Sequence, residues 1–216
     1  MSTREIEVAA GGPALPGDLT IPAGATGIVV FAHGSGSSRR SPRNVLVATA
    51  LQQQGLATLL FDLLTADEER LDARTATLRF DIPLLAERLI GAIDGLEAAG
   101  AGGMPVGCFG ASTGAAAALI ATARRPDSVR AVVSRGGRPD LASDELGAVR
   151  APTLLVVGSR DEAVIEMNRN AMRRLRCEVE LAIVPGATHL FEEPGALEEV
   201  ARLAGDWFAS RLGPEG

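Results

Sequence analysis

Lysine and tyrosine are missing from this 216-residue chain, and histidine and cysteine occur only twice each. All 21 basic residues are arginine. Without lysine there is no Schiff-base or pyridoxal chemistry, no phosphate-loop lysine and no kinase lysine. Without tyrosine there is no phenolic acid or nucleophile. Cys108 and Cys177 make neither a metal-spaced pair nor a disulfide framework, so a reducing, cytoplasmic setting is expected. His33 and His189 are too few for a zinc site built from His and Cys, and no spacing of acids suggests another metal. No metal is therefore expected. Apolar stretches fall well short of the ~18 residues of a membrane span, and residues 1–10 hold no apolar signal core. The net charge of −6 and pI near 5.1 argue against nucleic acid as a partner.

What remains is a chain 46% hydrophobic, enough for a core, at a length suited to one domain over residues 1–216. Continuous apolar runs at 27–32, 57–63, 105–109, 129–134, 153–158 and 179–184 read as strands buried on both faces. Shorter alternating segments at 5–9 and 18–21 read as antiparallel edge strands. Between them lie helical segments. One opens at Ser41-Pro42 and closes at Gly55. A second runs from about 81–83 to 99, with Leu85, Leu89, Ile93 and Leu96 on one face. Others span 113–123, 162–176 and 195–211. Strands alternating with helices predict an α/β fold with a mostly parallel sheet, whose function sits at the carboxyl ends of the strands.

Those ends carry the chemistry. After the strand at 105–109 comes Gly110-Ala111-Ser112-Thr113-Gly114, a G-x-S-x-G pattern between a strand and a small-residue helix. A serine on such a turn is exposed, at a helix N-terminus that favours developing negative charge. Its base must be a histidine. His189 follows the strand at 179–184. Asp161, after the strand at 153–158, is placed to orient it; its other available role is a helix cap, and Glu162 is the nearest competitor. The backbone N–H groups of Thr113 and Ser35 are the candidate oxyanion donors. His33 reads as structural, its ring fixing the loop that holds Ser35. Arg39, Arg40 and Arg43 either bind an anionic substrate or pair with acids such as Asp62, Asp67 and Glu68. Arg135 and Arg138 follow a strand end and are candidate pocket residues. The arginines of 169–176 alternate with acids and read as a solvated face, and Cys108 as a core thiol.

The elbow GASTG, the loop HGSGSS, the late GSRDE and the segment PGATHLFEEPG resemble the α/β-hydrolase superfamily across nearly the whole chain, and within it the small dienelactone-hydrolase-like proteins. The resemblance implies an eight-stranded, mostly parallel sheet flanked by helices and a Ser/Asp/His triad at Ser112, Asp161 and His189. It implies no cofactor. Dienelactone hydrolases proper place a cysteine at the elbow, where this chain has Ser112. Some relatives carry this domain fused to a phosphoribosyltransferase, which this chain is too short to hold. Only residues 135–151 separate the sixth strand from the seventh, so no large cap domain is expected. The pocket should be shallow, with 64–79 as the candidate lid.

The expectation is a serine hydrolase acting on small carboxylic esters or lactones, with no nucleic-acid or membrane partner. The rivals are thioester, amide or perhydrolysis chemistry on the same residues, and a catalytically idle module that binds a ligand.

Overall fold

The computed structural model describes residues 3–142 and 144–213. Its strands are β1 (Thr3–Ala9), β2 (Ala14–Thr20), β3 (Ile28–Ala32), β4 (Ala57–Phe61), β5 (Val106–Ala111), β6 (Val129–Arg135), β7 (Thr153–Gly158) and β8 (Val179–Val184). The helices are α1 (Pro42–Gln53), α2 (Ala66–Thr75), α3 (Ile82–Asp94), α4 (Thr113–Arg124), α5 (Glu162–Met172) and α6 (Ala196–Leu212). The strands form one sheet in the order β1-β2-β4-β3-β5-β6-β7-β8. β1 and β2 run antiparallel to each other, and β2 antiparallel to β4; every other pairing is parallel.

Two cores explain the continuous apolar runs except that of β8, which lies at the sheet edge with only Val184 buried, against the expectation of burial on both faces. Ile28 and Val30 face one, shared with Leu89, Ile93 and Leu119 of α3 and α4. Val29 and Phe31 face the other, shared with Leu51 of α1 and Trp207 and Phe208 of α6. A strand covered on both faces cannot alternate polar with apolar residues. Cys108 lies in the first core, fully buried, and burial pushes its thiol up to about 12.

Among the departures from the sequence reading, three have a clear physical reason. β2 begins at Ala14 and passes through Pro16, although proline cannot donate to a ladder. Pro16 O accepts from the Asp62 N–H, so its nitrogen faces the same edge, beyond the last β2–β4 pair at Gly17 and Phe61. The second helix of the sequence reading stops at Asp94, with a separate wide turn at Glu97–Ala101 where Gly100 takes φ +83°. The candidate lid at 64–79 contains a full helix, α2. Thr65 Oγ1 accepts from the Glu68 N–H (3.2 Å) and the Glu68 carboxylate accepts from the Thr65 N–H (2.8 Å). This reciprocal cap is written in the sequence as T-x-x-E. Among the described residues between β6 and β7 there are only single helical turns, at Pro139–Ala142 and Leu146–Ala148, and no cap domain.

Candidate active site

Ser112 is the one residue between β5 and α4. Its backbone sits at φ +50°, ψ −118°, a conformation that costs a side-chain-bearing residue about 1–3 kcal/mol. The surroundings hold it there. The Ser112 N–H donates to Arg135 O (3.1 Å), and Ser112 O accepts from the N–H groups of Arg138 and Ala115, each at 3.1 Å. Both flanking glycines are imposed by crowding. A Cβ on Gly110 would lie 2.4 Å from Ala115 Cα, and one on Gly114 2.2 Å from Ala32 O.

Asp161 occupies the N-cap position of α5, yet its side chain caps nothing. Asp161 Oδ2 instead accepts from His189 Nδ1–H at 2.6 Å. Glu162 is exposed on the first turn of α5 and takes no part. The two loops meet because β7 ends in a glycine: a Cβ on Gly158 would lie 2.4 Å from Ala187 O. The His189 ring packs on Gly136, where a Cβ would sit 3.5 Å from Nδ1. Gly136 directly follows the residue whose carbonyl anchors Ser112. Strands β5, β6, β7 and the loop after β8 thus bring the three side chains to one edge of the sheet. Ser112 Oγ itself has no hydrogen-bond partner among the described residues; such contacts are commonly loose in the absence of substrate.

The loop after β3 closes on the elbow from the other side. A Cβ on Gly34 would lie 3.2 Å from both Ser112 Cβ and Ala111 O. The next residues form a tight turn, with the Ser37 N–H on Gly34 O (3.2 Å) and Gly36 at φ +66°. Neither the Ser35 nor the Thr113 N–H donates to another described residue, so both remain available to an oxyanion. His33 is 7% exposed and its Nε2 accepts from the Leu63 N–H at 3.1 Å. That bond fixes the neutral tautomer with the proton on Nδ1, 3.0 Å from Gly34 O. Burial lowers the His33 pKa against the opposing pull of Gly34 O and Asp62.

The arginines separate into two kinds. Arg39, a candidate substrate residue in the sequence, is instead a structural cation. Its guanidinium meets Asp62, Asp18 (3.3 Å) and Glu5 (3.4 Å), and its N–H donates to Asp62 (2.7 Å). Three carboxylates leave it no role toward a ligand. Arg138 likewise pairs with Asp140. Arg135 is the last residue of β6, 7% exposed, and its Nε and Nη1 have no partner. Arg169 and Arg173 lie on the exposed face with Glu166, as the sequence suggests.

Beside the elbow opens a cleft of about 810 Å³, bounded by residues 33–38, the start of α1, Thr113 and α2. It is roomier than the shallow pocket expected, because 64–79 folds into a wall. Sequence reasoning also missed Asn168. Fully buried on α5, it donates from Nδ2 to Gly137 O (3.0 Å) and so braces the 136–138 loop that holds Ser112. The signal was an amide on the apolar stripe Val164, Asn168, Ala171.

A family model described as an alpha/beta hydrolase domain matches residues 25–202. The chain belongs to the α/β-hydrolase family. Among solved structures, a dienelactone hydrolase from Anabaena variabilis is 58% identical, with 98% of each chain covered and a TM-score of 0.96. Est1E from Butyrivibrio proteoclasticus shares the fold at TM-score 0.79 and 17% identity, over 95% of this chain and 98% of its own. Curated relatives from two strains of Mycobacterium tuberculosis carry the provisional name phosphoribosyl transferase. Each is 57% identical over 217 residues, covering 99% of this chain and 48% of its own length. This α/β hydrolase is thus dienelactone-hydrolase-like and spans about half the length of those relatives. No described helix is long and apolar enough to cross a membrane.

Proposed function

We propose that the protein is a serine hydrolase that cleaves small carboxylic esters or lactones through an acyl-enzyme on Ser112. The observation that carries this reading is the 2.6 Å Asp161–His189 bond beside a serine held in a strained elbow. Asp161 holds the proton on His189 Nδ1 and leaves Nε2 as the base. His189 takes the Ser112 proton as Oγ attacks the ester carbonyl carbon. The carbonyl oxygen becomes an oxyanion, received by the Ser35 and Thr113 N–H groups. His189 then gives its proton to the leaving alkoxide, and the C–O bond breaks. Water, deprotonated by His189, attacks the acyl-enzyme; the carboxylic acid leaves and the proton returns to Ser112. None of these steps draws on a metal or cofactor. The substrate is a small molecule, and neither nucleic acid nor membrane is its partner. The two free cysteines fit a reducing compartment, and we place the protein in the cytoplasm.

Phosphoribosyl transfer belongs to the name of relatives about twice this length. We assign ester hydrolysis to the half that these residues make up. The experiment is fluorophosphonate labelling followed by intact mass, with Ser112→Ala alongside. One adduct that vanishes in the variant is expected. A well-folded wild-type protein that takes no adduct refutes an activated serine, and favours a ligand-binding module.

A further inference from the structure

Asn168 is a costly residue where it stands. It is fully buried on α5, on a stripe that Val164 and Ala171 otherwise make apolar. Its Nδ2 donates to two carbonyls: Val164 O (2.8 Å), one turn back in its own helix, and Gly137 O (3.0 Å), in the turn after β6. These acceptors fix which way the amide points, since the reverse orientation sets an oxygen against both carbonyls. Oδ1 is then buried with no hydrogen-bond partner among the described residues. An unsatisfied acceptor in a core is destabilising, and a leucine has the same branching and would continue the stripe without one. The bond that reaches outside the helix is the one to Gly137.

What that bond holds is the seat of the elbow. The turn at 135–138 takes the Ser112 backbone at both ends: Arg135 O accepts from the Ser112 N–H, and the Arg138 N–H donates to Ser112 O, each at 3.1 Å. The same turn is the floor under His189. A Cβ on Gly136, at φ +51°, would lie 3.2 Å from His189 O and 3.5 Å from ring atoms Nδ1 and Cε1. The turn has no slack on its other side, where a Cβ on Gly137 would lie 2.7 Å from Ala115 Cβ on α4 and closer still to Ser134 Oγ. Asn168 holds it from α5, the helix whose N-cap residue is Asp161. Positions 161, 164 and 168 share one face over about two helical turns. One helix therefore carries the acid at its start and, at Asn168, the bond that fixes the seat of the nucleophile.

We infer that Asn168 is a positioning residue for the hydrolysis: by holding Gly137 it sets the elbow of Ser112 against the Asp161–His189 pair. This rests on the hydrolase reading above. Asn168 lines no part of the cleft, so it acts on the alignment of Ser112 Oγ with the imidazole and not on substrate binding. A misplacement of about 1 Å between reacting groups costs up to roughly 10²-fold in rate.

The test replaces Asn168 by leucine, which removes both donated bonds, and by threonine, whose shorter hydroxyl returns to Val164 O and cannot reach Gly137 O. With 4-nitrophenyl acetate both variants should lose kcat by roughly 10- to 100-fold at an unchanged KM. An unchanged kcat overturns the inference, and so does a loss in kcat/KM that lies wholly in KM. A second readout separates positioning from general loosening. The chain has only two histidines, so their ring signals are readable by NMR. In Asn168→Leu the His189 signals should shift. Those of His33, whose ring is bonded to Leu63 on the other side of the elbow, should stay. Movement of both means that Asn168 merely supports the core, and movement of neither means that its bond does not reach the site; either result overturns the inference. Should the leucine variant fail to fold, the threonine variant is read in the same way. Should both fail, Asn168 is a structural residue and the inference falls. If the wild type neither cleaves the ester nor takes a fluorophosphonate adduct, the hydrolase reading fails on its own. The histidine signals then still decide whether Asn168 sets the place of His189.

Discussion

Protonation of His33 should unlock the candidate oxyanion loop, and the chain's poverty in histidine makes this measurable. The neutral ring bridges two strand ends, accepting from the Leu63 N–H through Nε2 and lying 3.0 Å from Gly34 O through Nδ1. A second proton on the ring removes the acceptor and leaves the Leu63 N–H facing a donor. Burial accordingly lowers the folded-state pKa below the ordinary value of 6.5. The sign follows from linkage. Below pH 6.5 the unfolded chain binds a proton at this position that the folded chain refuses, so ν_U exceeds ν_N and stability falls as pH falls. The contribution is fully present above pH 6.5 and is lost on going from there toward the lower folded value. The slope is at most about 1.4 kcal/mol per pH unit. Between pH 7.5 and 5.5 the loss from this one group is therefore at most about 1.4 kcal/mol.

Urea unfolding at half-unit pH steps measures this, with His33→Gln as the control. Glutamine presents an oxygen near the place of Nε2 and does not titrate in this range. Only one other histidine exists, His189, and it is common to both proteins. The carboxylates are common as well, so the difference between the two slopes isolates His33. The wild type should lose stability more steeply than His33→Gln between pH 6.5 and 5.5. Parallel curves would refute the reasoning, because a buried acceptor imidazole cannot be indifferent to its own protonation.

The other predictions concern the site and its supports. Asp161→Asn should lower kcat for a neutral ester by roughly 10³–10⁴-fold with an unchanged circular dichroism spectrum, since it removes the acceptor that sets the His189 tautomer. Gly34→Ala places a methyl 3.2 Å from Ser112 Cβ, a contact the loop relieves only by shifting. It should lower kcat about 10- to 100-fold while the Tm stays near that of the wild type. Thr65→Ala breaks the reciprocal cap of α2 and should cost about 1 kcal/mol in urea unfolding.

Much of this was legible in the sequence, for identifiable reasons. The two-sided strands announced themselves because burial on both faces forbids polar positions, whereas the apolar run of β8 does not reveal that it lies at an edge with only Val184 buried. The order Ser112, Asp161, His189 after β5, β7 and β8 was readable because parallel strands deliver their carboxyl ends to one edge. Other features depended on partners far along the chain. Whether Asp161 caps α5 or turns to His189 is decided by the close approach of Gly158 to Ala187. Whether Arg39 is free is decided by Glu5, Asp18 and Asp62, on three different segments. The α2 cap is legible as T-x-x-E at Thr65 and Glu68, although 64–79 is expected from the sequence only as a lid and is assigned no helix there. Asn168 was hidden for the opposite reason, as one amide on a stripe that otherwise reads as core.

Arg39 and Arg135 carry the same side chain into opposite environments, and their replacement by methionine should move stability in opposite directions. Burial works against the charge of Arg39, but Asp62 and Asp18 hold its pKa above the ordinary value. Taking Arg39 away leaves Asp62, only 10% exposed in its side chain, without its cation. The loss should be about 2–4 kcal/mol, toward the lower end of what a broken buried pair costs, because Glu5 is exposed and water screens that side. Taking Arg135 away orphans no acid. It removes two unsatisfied donors and a charge that burial and Arg43 already disfavour, and it keeps an apolar chain under Phe191. Arg135→Met should be more stable than the wild type by about 1–3 kcal/mol in urea unfolding. Equal destabilisation by the two replacements would mean that Arg135 has a structural partner.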